Sequence, residues 1–325
     1  MSLLAAPSLM RLTNSYAKQK KKRNIIFILS DDHRYDALSC LNHTIVKTPN
    51  MDRLLKKGIH FKNAFVTHSL CSPSRASILT GLYSHQHGVL DNSTALDEKL
   101  PTFPVLLQNA GYTTGFVCKW HMGGSNDNPR PGFDHWVSFR GQGLYFDNVY
   151  NINGVHKPRQ GYVSDVITDF SKDFIKKNKE CNFCLYISHK AVHEDFESAP
   201  RHSGQFDHIT VPRPVTFPNT GDNYRDKPDW VRRQRDSCHG IDGLSYTHHT
   251  DFDGIYRRYA ECLFGLDESI GNLTKFLDEE GLLEDTLLIY MGDNGFQFGE
   301  HGLFDKRVMC MKNQFVSRFL YIVRI

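Results

Sequence analysis

The chain has no apolar run approaching the about 18 unbroken residues that a membrane-spanning helix needs, so no helical span is expected. It also lacks a dominant charge. Lys and Arg number 39 against 36 Asp and Glu, a net +3 with neutral His. That surplus is too small to mark a nucleic-acid partner, although a local basic funnel for an anionic substrate stays open. Eight cysteines occur without the spacing of a disulfide scaffold. Cys181 and Cys184 form a lone CxxC with no second pair at zinc spacing. Cys184 also lies in the strand-like "FCLYIS", where a small core residue is expected. Cysteine usage therefore leaves the compartment open. No internal repeat is visible. What remains is an ordinary globular composition, 40% hydrophobic and 23% charged, over 325 residues. That length suits one large α/β domain or roughly two domains.

The ends read differently from the middle. "MSLLAAPSLM" is weakly apolar and "KQKKKR" follows it, the reverse of the charge-then-apolar order of a secretory signal. Met1–Lys22 is thus expected to be a disordered leader without a clear signal peptide. Four apolar runs then stand out: "NIIFILS" (Asn24–Ser30), "TTGFVC" (Thr113–Cys118), "FCLYIS" (Phe183–Ser188) and "DTLLIYMG" (Asp285–Gly292). Continuous rather than alternating apolarity predicts strands buried on both faces. Between them lie helical patterns, "TPNMDRLLKKG", "FPVLLQNAG" and "YAECLFGLDESIGNLTKFLDEEG", each closed by Gly. Strands alternating with helices predict an α/β fold, a large mixed, mostly parallel sheet sandwiched by helices. Residues 201–251 are rich in Pro, Gly, Asp, Arg and His and read as a long surface excursion. Their basic clusters either line an entrance or are solvated loop; charge patterning does not separate the two.

Chemistry-bearing residues follow each apolar run. Asp31 and Asp32 follow the first, Lys119 and His121 the second, His189, Lys190 and His193 the third, and Asp293 and Asn294 the fourth. Open α/β sheets bind ligands beyond the carboxyl ends of their strands. Asp31, Asp32, Asp293 and Asn294 offer only oxygen ligands, a set suited to Ca²⁺ or Mg²⁺ rather than zinc. Taken alone, the Asp pair would read as a turn or helix cap; "GDNG" after another strand shifts the reading to metal. Arg75, Lys119 and Lys306 add fixed positive charge, enough with a divalent cation to hold a tetrahedral anion. His121 and His193 can exchange protons near neutral pH. Cys71 opens "CSPSRASILTG", whose Ser, Pro and terminal Gly81 predict a helix. A side chain at that helix N-terminus meets unpaired N–H groups that favour negative charge, a setting for a nucleophile against an anionic ester. A buried capping cysteine is the plainer alternative, but it leaves Arg75 unexplained.

These segments resemble the type I sulfatases of the alkaline-phosphatase-like superfamily, bacterial glycan sulfatases in particular. "SLCSPSRASILTG" is similar to that family's first signature and "GYTTGFVCKWHMG" to its second. "SDDHRYDALSC", "TGLYSHQHGV", "SHKAVH", "YAECLFGLDESIGNL" and "MGDNGFQFGEHGLFDKR" resemble further segments in the usual order. The resemblance implies that Cys71 is oxidised to Cα-formylglycine by a formylglycine-generating or anaerobic sulfatase-maturating enzyme. Its hydrate would attack sulfur and give a covalent sulfate hemiester. Asp31, Asp32, Asp293 and Asn294 would bind Ca²⁺ together with residue 71, the cation acting as Lewis acid. Arg75 would hold the oxygen of residue 71. Lys119, His193 and Lys306 would contact the sulfate, with His193 or Lys306 assisting the leaving alcohol and His121 breaking down the hemiester. A sulfated carbohydrate substrate and a periplasmic or secreted location are implied by the same likeness.

Two departures from the family pattern carry expectations of their own. The second signature usually has Gly before its Lys; here Cys118 stands there, and its side chain is expected to crowd the strand end. After "GLFDKR" the family continues as "MYEESxRVPLIVR" into a smaller C-terminal subdomain, whereas this chain reads "VMCMKNQFVSRFLYIVRI". Codons for Cys310–Phe315 read in another frame encode Tyr-Glu-Glu-Ser-Val, so a frameshift after Met309 is expected. On this reading 23–309 is the N-terminal catalytic domain and 310–325 an aberrant tail, with the C-terminal subdomain missing. Two rival functions follow: a phosphoester or phosphonate hydrolase of the same superfamily, and an inactive truncated protein that only binds sulfated ligand.

Overall fold

The computed structural model describes residues 22–124, 126–237, 239–243, 251–306 and 321–324. In chain order the strands are β1 (Asn24–Ser30), β2 (Ile59–His60), β3 (Thr113–Cys118), β4 (His135–Ser138), β5 (Val149–Ile152), β6 (Val155–Pro158), β7 (Phe183–Ser188), β8 (Thr286–Gly292), β9 (Gln297–Phe298), β10 (Phe304–Asp305) and β11 (Tyr321–Arg324). The helices are α1 (Pro49–Lys57), α2 (Cys71–Thr80), α3 (Ser84–His87), α4 (Phe103–Asn109), α5 (Val163–Asn178), α6 (Gly221–Tyr224), α7 (Asp229–Arg233) and α8 (Phe252–Glu279). The expected leader lies outside the described residues except for Lys22. So does the expected tail, apart from the backbone of β11.

Nine strands form one sheet in the order β2-β11-β8-β1-β7-β3-β4-β5-β6. The inner five, from β8 to β4, run parallel. β11 is antiparallel to β8 and β2 on one side, and β5 and β6 are antiparallel on the other. The sheet is therefore mixed and mostly parallel, as the alternating pattern predicts.

Apolar side chains of the central strands alternate between two cores, as the strand period of two dictates. Ile26, Ile28, Val117, Leu185 and Ile187 pack on one face against residues of α5 and α8. Phe27, Leu29, Phe116 and Tyr186 pack on the other with Ala76 and Leu79 of α2. There Phe116 stacks on Trp136 at 4.6 Å and Phe27 on Tyr186 at 4.9 Å, arrangements that add to the area they bury. β7 is buried at every position, matching its unbroken apolar run. β8 departs from that expectation. Its buried residues alternate with half-buried Leu287, Ile289 and Met291, because one face of this strand is less fully covered.

Register decides where the chemistry goes. Leu29 pairs with Ser188, Ser30 with Gly292, and Cys118 with Ser188. The last residues of β1, β3, β7 and β8 thus lie in one row, and the segments following them leave the sheet at one edge.

Candidate active site

The loops beyond that row are laced together by their backbones. Asp31 N–H donates to the Ala191 carbonyl at 3.0 Å, and Val192 N–H donates to the Asp31 carbonyl at 2.7 Å. Asp293 N–H donates to the Ser30 carbonyl at 3.0 Å. The Asp293 carboxylate then gathers its neighbours: its Oδ1 accepts from Asp32 N–H at 3.1 Å and Asn294 N–H at 2.8 Å. Asp31, Asp32 and Asp293 consequently bring one oxygen each within 4.8 Å of one another, and all three are fully buried.

Helix α2 enters from the side. It begins at Cys71 itself, one residue before the expected Ser-Pro start, and its N-cap residue Leu70 makes no side-chain cap. Cys71 is buried, with Sγ 3.3 Å from Asp31 Oδ1. Sγ, an Asp31 oxygen and a His193 ring nitrogen also lie within 4.8 Å of one another. One turn on, the Arg75 guanidinium is fixed by the ends of the neighbouring strands. Nε and Nη2 donate to Asp293 Oδ2 at 3.0 and 2.8 Å, and Nη1 donates to the Lys119 carbonyl at 2.8 Å and Ser188 Oγ at 2.6 Å. Arg75 thereby ties α2 to the ends of β3, β7 and β8. The short contacts from Ser72 Oγ to the His121 carbonyl and from Ser74 Oγ to the Asp293 carbonyl fasten the same helix.

All the remaining expected site residues converge here. Lys119 donates to Asp31 Oδ2 and Gln142 Oε1, and Lys306 donates to Asp32 Oδ2. His193 Nε2 stands 3.7 Å from Asp32 Oδ2, and its Nδ1 lies 2.6 Å from the Glu194 carbonyl. Since that carbonyl can only accept, Nδ1 carries the proton and Nε2 presents a lone pair to the site. His121 is buried with its Nδ1 unpaired among the described residues.

Burial and crowded charge perturb these groups strongly. Burial and the Asp31 charge raise the Asp293 carboxyl to about 8, against the pull of Arg75. Burial raises Asp32 to about 6, with Lys306 opposing. Asp31 is also penalised by burial, but the charges of Lys119, Arg75 and Lys306 outweigh that and hold it well below the usual range. Burial, aided by Lys119 and Arg75, pushes His121 down to about 2. Burial, aided by Lys306 and Lys119, keeps His193 neutral as well. Burial and Asp31 drive the Cys71 thiol well above its ordinary value, so an unmodified Cys71 is a thiol rather than a thiolate.

A divalent cation fits this donor set. Three buried carboxylates face one point, and two of them are driven toward protonation when no cation balances them. Asn294 donates through Nδ2 to Asp32 Oδ1 at 2.5 Å, while its buried Oδ1 has no partner among the described residues. An orphaned amide oxygen beside three carboxylates is what a hard cation would satisfy.

Sequence reading missed the residues that hold this machinery from outside. Gln142 reaches Lys119 from the loop after β4. The excursion, rather than being only solvated, packs on the loop carrying Lys306. Gly240 bridges Leu303, His239 Nδ1 lies 3.0 Å from Asp305 Oδ2, and Ile241 N–H donates to the Gly302 carbonyl at 2.9 Å. Buried Arg235 anchors that arm, donating to both Asp242 oxygens at 2.6 and 3.0 Å and to the Phe217 carbonyl at 2.8 Å. Composition gave no signal for these contacts. Lys190 and His189 lie on the same edge. Lys190 covers the Tyr145 ring at 4.7 Å, and burial with Lys119 nearby lowers its ammonium to about 8.

The sulfatase family model matches residues 23–317. N-acetylglucosamine-6-O-sulfatase of Bacteroides thetaiotaomicron is 33% identical over 374 aligned residues, covering 97% of this chain and 66% of that protein. N-acetylglucosamine-6-sulfatase of Capra hircus is 29% identical over 316 residues, covering 90% of this chain and 54% of that protein. The chain thus spans less than two thirds of either relative. A solved structure, described as a complex with its substrate D-glucosamine-2-N,6-O-disulfate, superposes with a TM-score of 0.77 at 32% identity. The match covers 94% of this chain and 71% of that one.

Proposed function

The chain belongs to the sulfatase family, and we propose that it hydrolyses the sulfate ester of a sulfated saccharide, a 6-O-sulfated glucosamine derivative in the first instance. The sugar is inferred from what the similar proteins are named for or bound to. The observation that carries the reaction is the position of Cys71 at the start of α2, buried between Asp31 and His193 and beside the Asp31–Asp32–Asp293 cluster. A nucleophile there would face an anionic ester held by Lys119 and Lys306.

The thiol itself is unsuited to the task, because burial and Asp31 keep it protonated. Oxidation of Cys71 to formylglycine would replace it with an aldehyde hydrate whose oxygen attacks sulfur. Cys71 is buried in the fold, so a maturation enzyme would have to reach it before the chain closes over it. Asp31, Asp32, Asp293 and Asn294 would hold Ca²⁺, which supplies Lewis-acid polarisation of the sulfate. Lys306 stays charged: burial opposes its charge, but Asp32 outweighs that and raises its pKa well above the usual value. It serves as a fixed cation for sulfate oxygens, with Lys119 opposite. His193 Nε2 offers a lone pair toward the site. The negative ester would raise its proton affinity, so this nitrogen is placed to hold the proton that the leaving alcohol needs. His121 would take the proton when the aldehyde is regenerated. A periplasmic or secreted location belongs to the same proposal; no helix among the described residues is long and apolar enough to cross a membrane.

Mass analysis of the peptide carrying residue 71, from protein made in a host with maturation activity, tests this. An aldehyde in place of the thiol is expected. An intact thiol in a preparation that still hydrolyses sulfate esters would refute the proposed nucleophile.

A further inference from the structure

Lys190 follows β7 on the edge that carries the site, in the same loop as His193. It is 3% exposed, yet no carboxylate forms an ion pair with it among the described residues. Its ammonium instead donates to the Glu194 carbonyl at 3.3 Å and covers the Tyr145 ring at 4.7 Å. Burial, with Lys119 nearby, lowers it to about 8, so it is still mostly charged at neutral pH. A buried ammonium without a carboxylate costs stability that an apolar side chain of similar length would not. Stability gives no reason for a lysine here; its contacts do.

Those contacts surround His193. His193 N–H donates to the Lys190 carbonyl at 2.9 Å, closing a turn between the two. The Lys190 side chain then reaches past the turn to the Glu194 carbonyl, the same oxygen that accepts from His193 Nδ1 at 2.6 Å. A carbonyl oxygen has two lone pairs, and the ring and the ammonium fill both. Tyr145, in the loop after β4, holds the preceding carbonyl: its hydroxyl donates to that of His193. Tyr145 is itself buried, stacks on Tyr162 at 6.0 Å and has its own carbonyl tied to Val163 N–H, at the start of α5, at 2.7 Å. Two side chains from different loops thus grip the two carbonyls beside the imidazole, on its Nδ1 side.

We propose that Lys190 and Tyr145 are positioning residues for His193: by locking these two carbonyls they keep one proton on Nδ1 and keep Nε2 aimed at the leaving oxygen. This rests on the reading of His193 as the acid for the leaving alcohol. When the S–O bond breaks, both its electrons go to the leaving oxygen. A sugar alcohol is a poor leaving group and takes a proton from Nε2 as it departs. A nitrophenolate spreads its charge over the ring and leaves without one. The aim of His193 therefore matters for the first ester and hardly for the second.

Lys190→Met removes the ammonium at similar volume, and Tyr145→Phe removes only a hydroxyl. In the aldehyde-bearing chain with Ca²⁺, each variant is expected to lower kcat for glucosamine 6-sulfate about tenfold or more and kcat for 4-nitrophenyl sulfate less than about threefold. Lys190→Met should melt no lower than the parent chain, because it removes an uncompensated buried charge. A second readout needs no turnover. The ¹⁵N signals of the His193 ring in the chain with an unmodified Cys71, identified by their absence in His193→Gln, should report one Nδ1–H tautomer in the parent and a mixture in both variants. Equal losses on the two esters, a Lys190→Met chain that melts well below the parent, or ring signals unaltered in both variants would overturn the positioning role. A parent chain with verified aldehyde that cleaves neither ester would instead overturn the sulfatase reading, and the ring signals would still decide whether Lys190 and Tyr145 hold His193.

Discussion

Cys118 stands where the resembling family has glycine, and the structure shows what that substitution does. It is the last residue of β3, fully buried, with φ of 94°. Its carbonyl accepts Ser138 Oγ at 2.8 Å, and the next residue is Lys119. A side chain held in that backbone region costs about 1–3 kcal/mol. Truncating Cys118 to Ala keeps the Cβ and the strain while losing the buried sulfur, roughly 1–2 kcal/mol. Going on to Gly loses one more carbon, about 0.8 kcal/mol, and adds backbone entropy to the unfolded chain, about 0.5–1 kcal/mol, but it removes the strain. At an ordinary strand position Gly should therefore fall below Ala by about 1.5 kcal/mol. At Cys118 relief of the strain should shrink that gap to about 0.5 kcal/mol or reverse it in favour of Gly. Val117, one residue earlier in the same strand and also buried, supplies the control. Urea denaturation of Cys118→Ala, Cys118→Gly, Val117→Ala and Val117→Gly measures the difference between the two Ala-to-Gly steps, expected at about 1–3 kcal/mol. If Gly falls below Ala at Cys118 by as much as it does at Val117, the strand end is unstrained and the reasoning fails.

Three further outcomes are expected. Ca²⁺ at a hundredfold excess over its dissociation constant should stabilise the chain by about 2.7 kcal/mol in thermal melts; Asp293→Ala should lose that increment, and an increment unchanged in the variant would remove Asp293 from the cation site. Burial holds His33 near 4 against an ordinary 6.5, opposed by the Ala37 carbonyl, with Nδ1 2.5 Å from Tyr290 Oη. Because the folded value lies below the unfolded one, this contribution is complete above about pH 6.5 and is lost as pH falls toward 4, up to about 3 kcal/mol. His33→Gln should flatten the acid limb of a stability–pH curve in that window, and an equally steep limb would refute it. Arg235→Ala should release the excursion from the loop that carries Lys306, seen as faster amide exchange at Gly302 and Leu303; unchanged exchange would show that the arm does not clamp the loop.

The parts of the fold legible in the sequence are those set by local pattern. The bounds of β1, β3 and β7 follow from unbroken apolar runs, and β8 begins one residue later than its run. The convergence of Asp31, Lys119, His193 and Asp293 was also legible, because parallel strands in register send their C-terminal residues to one edge. The paths of the partners were not. Gln142 lies 23 residues from Lys119 and is aimed by a glycine turn rather than by periodicity. His239 meets Asp305 across a fold of the chain that composition does not encode. Arg75 reads as a site residue from its motif, but its link to Asp293, 218 residues away, depends on how α2 docks. Cys118 stands out by its departure from a motif, and only the backbone angle gives that departure its physical meaning.

The most direct test is sulfate release measured by ion chromatography from N-acetylglucosamine 6-sulfate. The 325-residue chain is used with Ca²⁺ and with residue 71 verified as the aldehyde, and N-acetylglucosamine 6-phosphate serves as the competing ester. The account predicts catalytic release of sulfate, abolished by Cys71→Ala, with phosphate release far slower. Verified aldehyde protein that binds the sugar sulfate without releasing sulfate, or that cleaves the phosphate ester in preference, would contradict it.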